Sequence, residues 1–562
     1  MSHSIRTTSG AAALLASAAL LPTAVSAAGA FDTALAFDPA DHETITVRLD
    51  GEEVEVRRYE IVYAGKPIEM AAVQPSRGVP PNGAPDGGEG RPLADPLSMQ
   101  KMIVYVPETA YESEDAAIIL HVDNSGWFAS PVSERLEAGA DYSSSSDDDP
   151  YGRALAEGYV IVSAGTRSRS ALAADGSYRG KAPAPVVDAK AAIRYLRLND
   201  AAMPGSAERI VITGTSGGGA LSAAVAASGN SPDYYPLLAE IGAAGIDAEG
   251  GSTLADDVFA TIAYCPITDL GHADAAYEWQ FNAVRDEANT TQGMYPESAR
   301  AGSAKLAAEY GPYLETLGLL LPDGQRLNGE TMRDAIVAAI VAETEDVLAE
   351  GGEVPAIGAD FTLVGRDGST TALPNDWLTV ENGAVDVDYE AFLRFVASAT
   401  PLKIVPAFDA TANTGNDGLR GENSLFGGAD LPYANFTRYG WDGNEVAGDG
   451  SGPDDTGMIW DELVASEAPA IPEQIRMLNP LAYLGTEADS APHWYIRHGM
   501  VDRDTAFAVG IALHHAVMAD PSVEDVSFEL AWLRPHMGNY DVREAYDWLA
   551  RALESRPGGA GE

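Results

Sequence analysis

The chain has 562 residues, 46% of them hydrophobic and 8% aromatic, which is enough for a large core or two domains and too apolar for a disordered protein. Thirty-five basic residues against 84 acidic ones leave a net charge of −49, which repels nucleic acid rather than binding it. A single cysteine, Cys265, excludes an internal disulfide, so stability has to come from the core.

The first 28 residues read as a secretory signal: Arg6, an apolar stretch over 11–21, and small residues up to a cleavage point near Ala27 or Ala28. No later run is long and apolar enough to span a membrane, so the mature chain is expected to be soluble and exported, periplasmic or extracellular. Removing Arg6 makes it one unit more negative still. The acids are scattered and only six lysines occur, a surface suited to a saline setting where salt screens self-repulsion.

Residues 78–96 are rich in Pro, Gly and Asp and read as an irregular connection. Short apolar strands follow at 102–106, 116–122 (AAIILHV) and 159–163 (YVIVS), then a helical face over 187–198 and the strand RIVIT at 209–213. Continuous apolar strands separated by helices predict an α/β fold, a mostly parallel sheet covered on both faces. The same pattern resumes at 258–267, where Cys265 reads as a buried strand residue rather than a nucleophile, then at 493–498 (HWYIRH) and 526–533 (VSFELAWL), before a last helix over 542–553. Between 270 and 479 the character changes to helical patterns such as 331–349 and Gly/Asp-rich loops, so residues 29–269 and 480–562 form the expected core and 270–479 an inserted lid. An insertion at a strand's C-terminal end overhangs the ligand crevice.

GTSGG, at 214–218, stands between the RIVIT strand and the Ala-rich helical run 220–227. A G-x-S-x-G turn in that setting holds a serine on a sharp strand-to-helix elbow, which makes Ser216 the expected nucleophile. A serine hydroxyl needs a base and a site for the oxyanion. Of the nine histidines, His3 lies in the leader, His42 and His121 precede the serine, and His272 starts the insertion; His493 and His498 sit on a strand, and His514 and His515 in the helical run 505–519. His536 alone falls in a loop, RPHMGN, between the last strand and the last helix, where the base of this fold is expected. The orienting acid should follow the preceding strand, where HGMVDRDT offers Asp502 and Asp504; Asp502 is nearer the strand end, and the other carboxylate could cap the helix beginning near Thr505. The oxyanion donors are expected at the N–H of Gly217 and in the loop 123–127 (DNSGW), at Gly126 or its neighbour. No clustered His/Cys pattern suggests a metal, and no cofactor is expected.

Taken with GTSGGGALSAAVAASGNSPDY, DDVFATIAYCPITDLGHADAAYEWQFN, TPLKIVPAFDA, GENSLFG, IRHGMVDRDT and PHMGNYD, most of the mature chain resembles the bacterial tannases, tannin acyl hydrolases of the α/β-hydrolase fold. It does not resemble the fungal-type tannase and feruloyl esterase group, whose disulfide beside the triad one cysteine cannot make. The resemblance implies Ser216, Asp502 and His536 as the triad and a galloyl ring held by Lys403, Glu422 and Asp504. Buried charged partners for vicinal phenol hydroxyls would discriminate strongly against acyl groups lacking them. The plainer reading of Lys403 and Glu422 is a mutual surface ion pair. Two departures from the family pattern stand out: the segment 411–420 (TANTGNDGLR) is longer, and the elbow reads Ser-Gly-Gly where Ser-Ala-Gly is expected, a change it should tolerate. The implied substrate is a small phenolic ester. A feruloyl or other phenolic-acid esterase and a catalytically dead binding protein are the alternatives.

Overall fold

A computed structural model describes residues 28–75, 90–410, 421–442, 458–466 and 470–555. The expected leader and the segment 411–420 lie outside the described residues.

Ten strands form one sheet. From one edge they run Asp525–Ala531, His493–Gly499, Ala260–Tyr264, Ile210–Thr215, Ile118–Val122, Val160–Ala164, Lys101–Pro107, Glu52–Val62, Glu43–Leu49 and Asp141–Tyr142. The first six are mutually parallel; antiparallel pairing begins between Val160–Ala164 and Lys101–Pro107 and continues through the next two strands. This is the mostly parallel, helix-flanked architecture of the α/β-hydrolase fold.

The central strands are apolar on both faces because both are covered. Ile118, Leu120, Ile210 and Ile212 face one core, shared with the helices Ala184–Leu198, Gly217–Ala227 and Phe507–Ala519. Ile119, Val211 and Ile262 face the other, under the helix Val542–Ser555. Local chemistry sets several helix ends. Asp149 caps Pro150–Glu157 by accepting the Gly152 N–H at 2.8 Å, and Gly158 closes that helix at φ 69°.

The insertion leaves the sheet after Ala260–Tyr264 and returns before His493–Gly499. Its main helices are Leu270–Phe281, Glu297–Leu317, Thr331–Ala349 and Tyr389–Ala399, with two hairpins, Asp360–Val364 with Thr370–Pro374 and Leu378–Glu381 with Ala384–Val387. Among the described residues it has no separate core. Ile336, Ile340, Trp377 and Phe392 are buried in continuity with the sheet's own apolar face. Phe392 meets Phe507 with ring centroids 5.6 Å apart, and Phe361 meets Trp532 at 6.0 Å. Among the described residues no helix is long and apolar enough to cross a membrane.

Candidate active site

Ser216 sits between the strand Ile210–Thr215 and the helix Gly217–Ala227 with φ 64° and ψ −122°, a backbone conformation that costs of order 1–3 kcal/mol and persists only where its surroundings hold it. The holding bonds are visible. The Ser216 N–H donates to Tyr264 O at 2.9 Å, and Ser216 O accepts from Ala220 N at 2.9 Å. Glycine is required around it because backbone comes too close for a side chain: a Cβ on Gly214 would lie 2.5 Å from the Gly218 carbonyl, and one on Gly217 would lie 2.2 Å from Asn124 O and 2.4 Å from Trp127 N. Glycine at 217 thus lets the 124–127 loop close onto space that a side chain there would fill.

His536 and Asp502 arrive on two loops tied to one another. Met500 N donates to Ala531 O at 2.9 Å and Val501 N to Arg534 O at 3.0 Å, so the loop after His493–Gly499 is bonded along the loop after Asp525–Ala531. These contacts bring the three side chains into line. Ser216 Oγ lies 2.8 Å from His536 Nε2, and His536 Nδ1 lies 2.6 Å from Asp502 Oδ2. The carboxylate can only accept, so Nδ1 carries the proton and Nε2 is left to accept from the serine hydroxyl. Asp502 is fully buried, which by itself favours the neutral acid; the contact with His536, aided by the Asp504 N–H, reverses that and holds the carboxyl well below the usual range.

The oxyanion candidates sit against each other, since the close approaches at Gly217 are to the loop carrying Gly126. Gly126 has φ 61°, and neither its N–H nor that of Gly217 has an acceptor among the described residues. Three neighbouring amides are engaged: Ser125 N on Asp123 O at 2.8 Å, Trp127 N on Asn124 O at 2.6 Å, and Phe128 N on Ser125 O at 3.3 Å.

The three ring-site candidates are brought towards this centre, though not as the plainer reading has it. Lys403 and Glu422 form no mutual ion pair. The Lys403 ammonium lies 4.0 Å from the centre of the Phe408 ring, while Glu422 is buried with Arg169 Nη1 at 3.5 Å. Asp504 does not cap a helix either, because the helix Phe507–Ala519 begins at Ala506 without a side-chain cap. Instead Asp504 meets Arg503 at 2.6 Å and Arg366, from a hairpin turn of the insertion, at 3.1 Å. Burial opposes its ionisation, but Arg503, His536 and Lys403 together hold its carboxyl below the usual range.

Two further groups at the site read from the sequence as ordinary strand residues. His498 is fully buried with Nε2 3.5 Å from Asp502 Oδ2, and burial pushes it down to about 4, so this second imidazole stays neutral. Its i, i+4 spacing to Asp502 was the available signal. Cys265 lies one residue beyond its strand, not within it, and donates to Met537 O at 3.3 Å. Burial first, then the Asp502 charge, pushes its thiol well up. Cys265, Asp502 and His536 offer ligand atoms within 4.8 Å of one another, but each already has a hydrogen-bond partner in the serine–imidazole–carboxylate chain or beside it.

This geometry can deprotonate a serine for attack on a carbonyl and stabilise the anion that results. No curated protein matches the chain. The BD-FAE family profile matches residues 102–308, which span the sheet's centre and the elbow. Among solved structures, the tannase of Fusobacterium nucleatum is 28% identical with a TM-score of 0.69, over 92% of this chain and 99% of that one. A tannase from Lactobacillus plantarum is 28% identical with a TM-score of 0.69, over 93% and 100%. A tannin acyl hydrolase in complex with ethyl gallate is 29% identical with a TM-score of 0.70, over 93% and 100%. Matched along nearly the whole of each chain, the protein is similar to the bacterial tannases and is an ester hydrolase of the α/β-hydrolase fold.

Proposed function

We propose that the protein is an exported serine esterase that hydrolyses galloyl esters, of tannins and of simple alcohols, through an acyl-enzyme. The observation that carries this reading is the unbroken contact chain Ser216–His536–Asp502, 2.8 and 2.6 Å long, on a strained elbow. His536 takes the hydroxyl proton as Ser216 attacks the ester carbonyl, and Asp502 holds the imidazole's tautomer and stabilises the imidazolium. The N–H groups of Gly217 and Gly126 receive the tetrahedral anion. His536 then returns the proton to the departing alcohol, and a water, activated by the same imidazole, releases gallic acid from Ser216.

Lys403, Glu422 and Asp504 hold the ring hydroxyls in this reading. The ethyl gallate complex of a similar protein supports it, as does the mix of one cation, the buried Glu422 and the half-buried Asp504 facing phenols that both donate and accept. The insertion supplies Lys403 and Glu422, and so makes the acyl pocket rather than merely covering it.

The test compares methyl gallate, methyl protocatechuate and methyl ferulate with the mature protein at low and high salt. Rapid gallate release with ferulate untouched supports the galloyl assignment. Ferulate turnover at an equal or higher rate would leave the triad standing and replace the acyl group with a hydroxycinnamoyl one. Failure of a fluorophosphonate probe to label Ser216 would point to a binding protein instead.

A further inference from the structure

Arg169 lies in the connection that follows the strand Val160–Ala164 and is 3% exposed. Its backbone pairs with the 127–130 segment: Arg169 N donates to Trp127 O at 3.1 Å, and Ala129 N to Arg169 O at 3.3 Å. Its guanidinium lies over the Phe128 ring, 4.1 Å from the centroid. From there the fork reaches in two directions. Nη1 donates to Gly126 O at 2.9 Å and faces Glu422 Oε1 at 3.5 Å, while Nε donates to Ser424 Oγ at 3.0 Å.

Gly126 and Glu422 belong to different parts of the site, the loop against the nucleophile elbow and the short helix Glu422–Leu425 of the insertion. The carbonyl that Arg169 holds is in the same peptide unit as the Trp127 N–H, which is itself bonded to Asn124 O at 2.6 Å. With both ends of that unit fixed, and the Ser125 carbonyl accepting from Phe128 N at 3.3 Å, the preceding peptide, which carries the unaccepted Gly126 N–H, is restrained from both sides. Such control matters because an oxyanion donor works only when it points at the place where charge develops.

We propose that Arg169 is a positioning residue which sets the Gly126 oxyanion donor and the Glu422 ring acid in one geometry, so that seating of the acyl ring and stabilisation of the oxyanion are coupled. The inference rests on the esterase reading above. A planar guanidinium suits the task because its fixed fork serves several acceptors at once, whereas a lysine ammonium on a flexible stem is a point charge. Burial lowers the Arg169 pKa, and the Glu422 charge works against that.

The experiment uses the full mature chain with Arg169→Met, Arg169→Lys, Glu422→Gln and the Arg169→Met/Glu422→Gln double variant. Rates are measured on p-nitrophenyl acetate, which has no ring hydroxyls on its acyl group, and on methyl gallate. They are expressed per serine titrated by a fluorophosphonate, which removes any unfolded fraction. Arg169→Met is expected to lower kcat on the acetate at least about tenfold with little change in KM, a part of the ~10²–10³ that losing an oxyanion donor costs. Arg169→Lys should fall between it and the wild type, and carries the test if the methionine variant does not fold. The preference for gallate over acetate should drop further in Arg169→Met, but no further in the double variant than in Glu422→Gln alone. An acetate kcat within twofold of wild type in both arginine variants overturns the proposal, as do gallate losses that simply multiply in the double variant. A wild type that cleaves the acetate and not methyl gallate would defeat the galloyl reading separately, with the Gly126 arm still read on acetate.

Discussion

Asp502→Asn isolates the orienting role of the carboxylate almost without changing shape. In the wild type Oδ2 accepts from His536 Nδ1 at 2.6 Å and Oδ1 accepts the Asp504 N–H at 2.6 Å. The backbone N–H still needs an oxygen in the variant, so the amide oxygen stays at the Oδ1 position and the NH₂ takes the place of Oδ2. That group can only donate, so it turns Nδ1 into the acceptor and moves the imidazole proton to Nε2. Nε2 then donates to Ser216 Oγ across the 2.8 Å contact and cannot take its proton. Neutral His498, 3.5 Å from the same position, can accept from the amide and so helps to fix this wrong arrangement. The equivalent change in a serine triad costs ~10⁴ in kcat, or about 5.4 kcal/mol of barrier. Steady-state kcat on methyl gallate, with near-UV circular dichroism to confirm the fold, reads it. A loss of less than about tenfold would refute the assignment of Asp502 as the group that sets the tautomer.

Glu422→Gln exchanges a charge-assisted bond to a ring hydroxyl (~1.5–3 kcal/mol) for a neutral one (~0.5–1.5), so kcat/KM on methyl gallate should fall about fivefold to fifteenfold while methyl benzoate is almost unaffected. Parallel losses on the two esters would remove Glu422 from ring recognition. The depressed Asp502 pKa makes a pH prediction whose sign is fixed. The carboxyl contributes stability in full above its ordinary value of 3.8 and loses it as pH falls towards the lower folded value. The urea midpoint of the wild type should therefore fall below about pH 4 more steeply than that of Asp502→Asn, and equal slopes would contradict the shift. Arg366→Ala breaks a half-exposed pair with Asp504 worth ~0–1 kcal/mol. It should lower KM for methyl gallate by no more than about fivefold by freeing a carboxylate oxygen, and a raised KM would instead make Arg366 a substrate contact.

What could be read directly from the chain was whatever local chemistry dictates. The strand RIVIT ends in a glycine-flanked serine, and a loop histidine follows the last strand because this fold places it there. The central strands were visible as continuous apolar runs because both their faces are buried. The hairpin Glu43–Leu49 with Glu52–Val62 was missed for the converse reason: it lies towards the sheet's far edge, its outward side chains are charged, and no apolar run survives. Arg169 and Arg366 were missed because their partners stand 253 and 138 residues away and no local pattern marks a long side chain's destination. His498 read as an ordinary strand residue, since its contact with Asp502 exists only because the chain turns back after Gly499. At Asp504 it is the plainer alternative, a helix cap, that falls, because the helix starts two residues later than the sequence pattern suggests.

The insertion separates Ser216 from Asp502 and His536 along the chain, and that order has a consequence for biogenesis. A ribosome delivers the serine and its elbow first, then the insertion with Lys403 and Glu422, and the loops carrying Asp502, Asp504 and His536 last. Until the final strand and its loop join the edge of the sheet, Ser216 has no base. The emerging chain is therefore chemically silent towards esters, and any truncation that removes the loop at 536 yields a protein with its nucleophile in place and no means to use it.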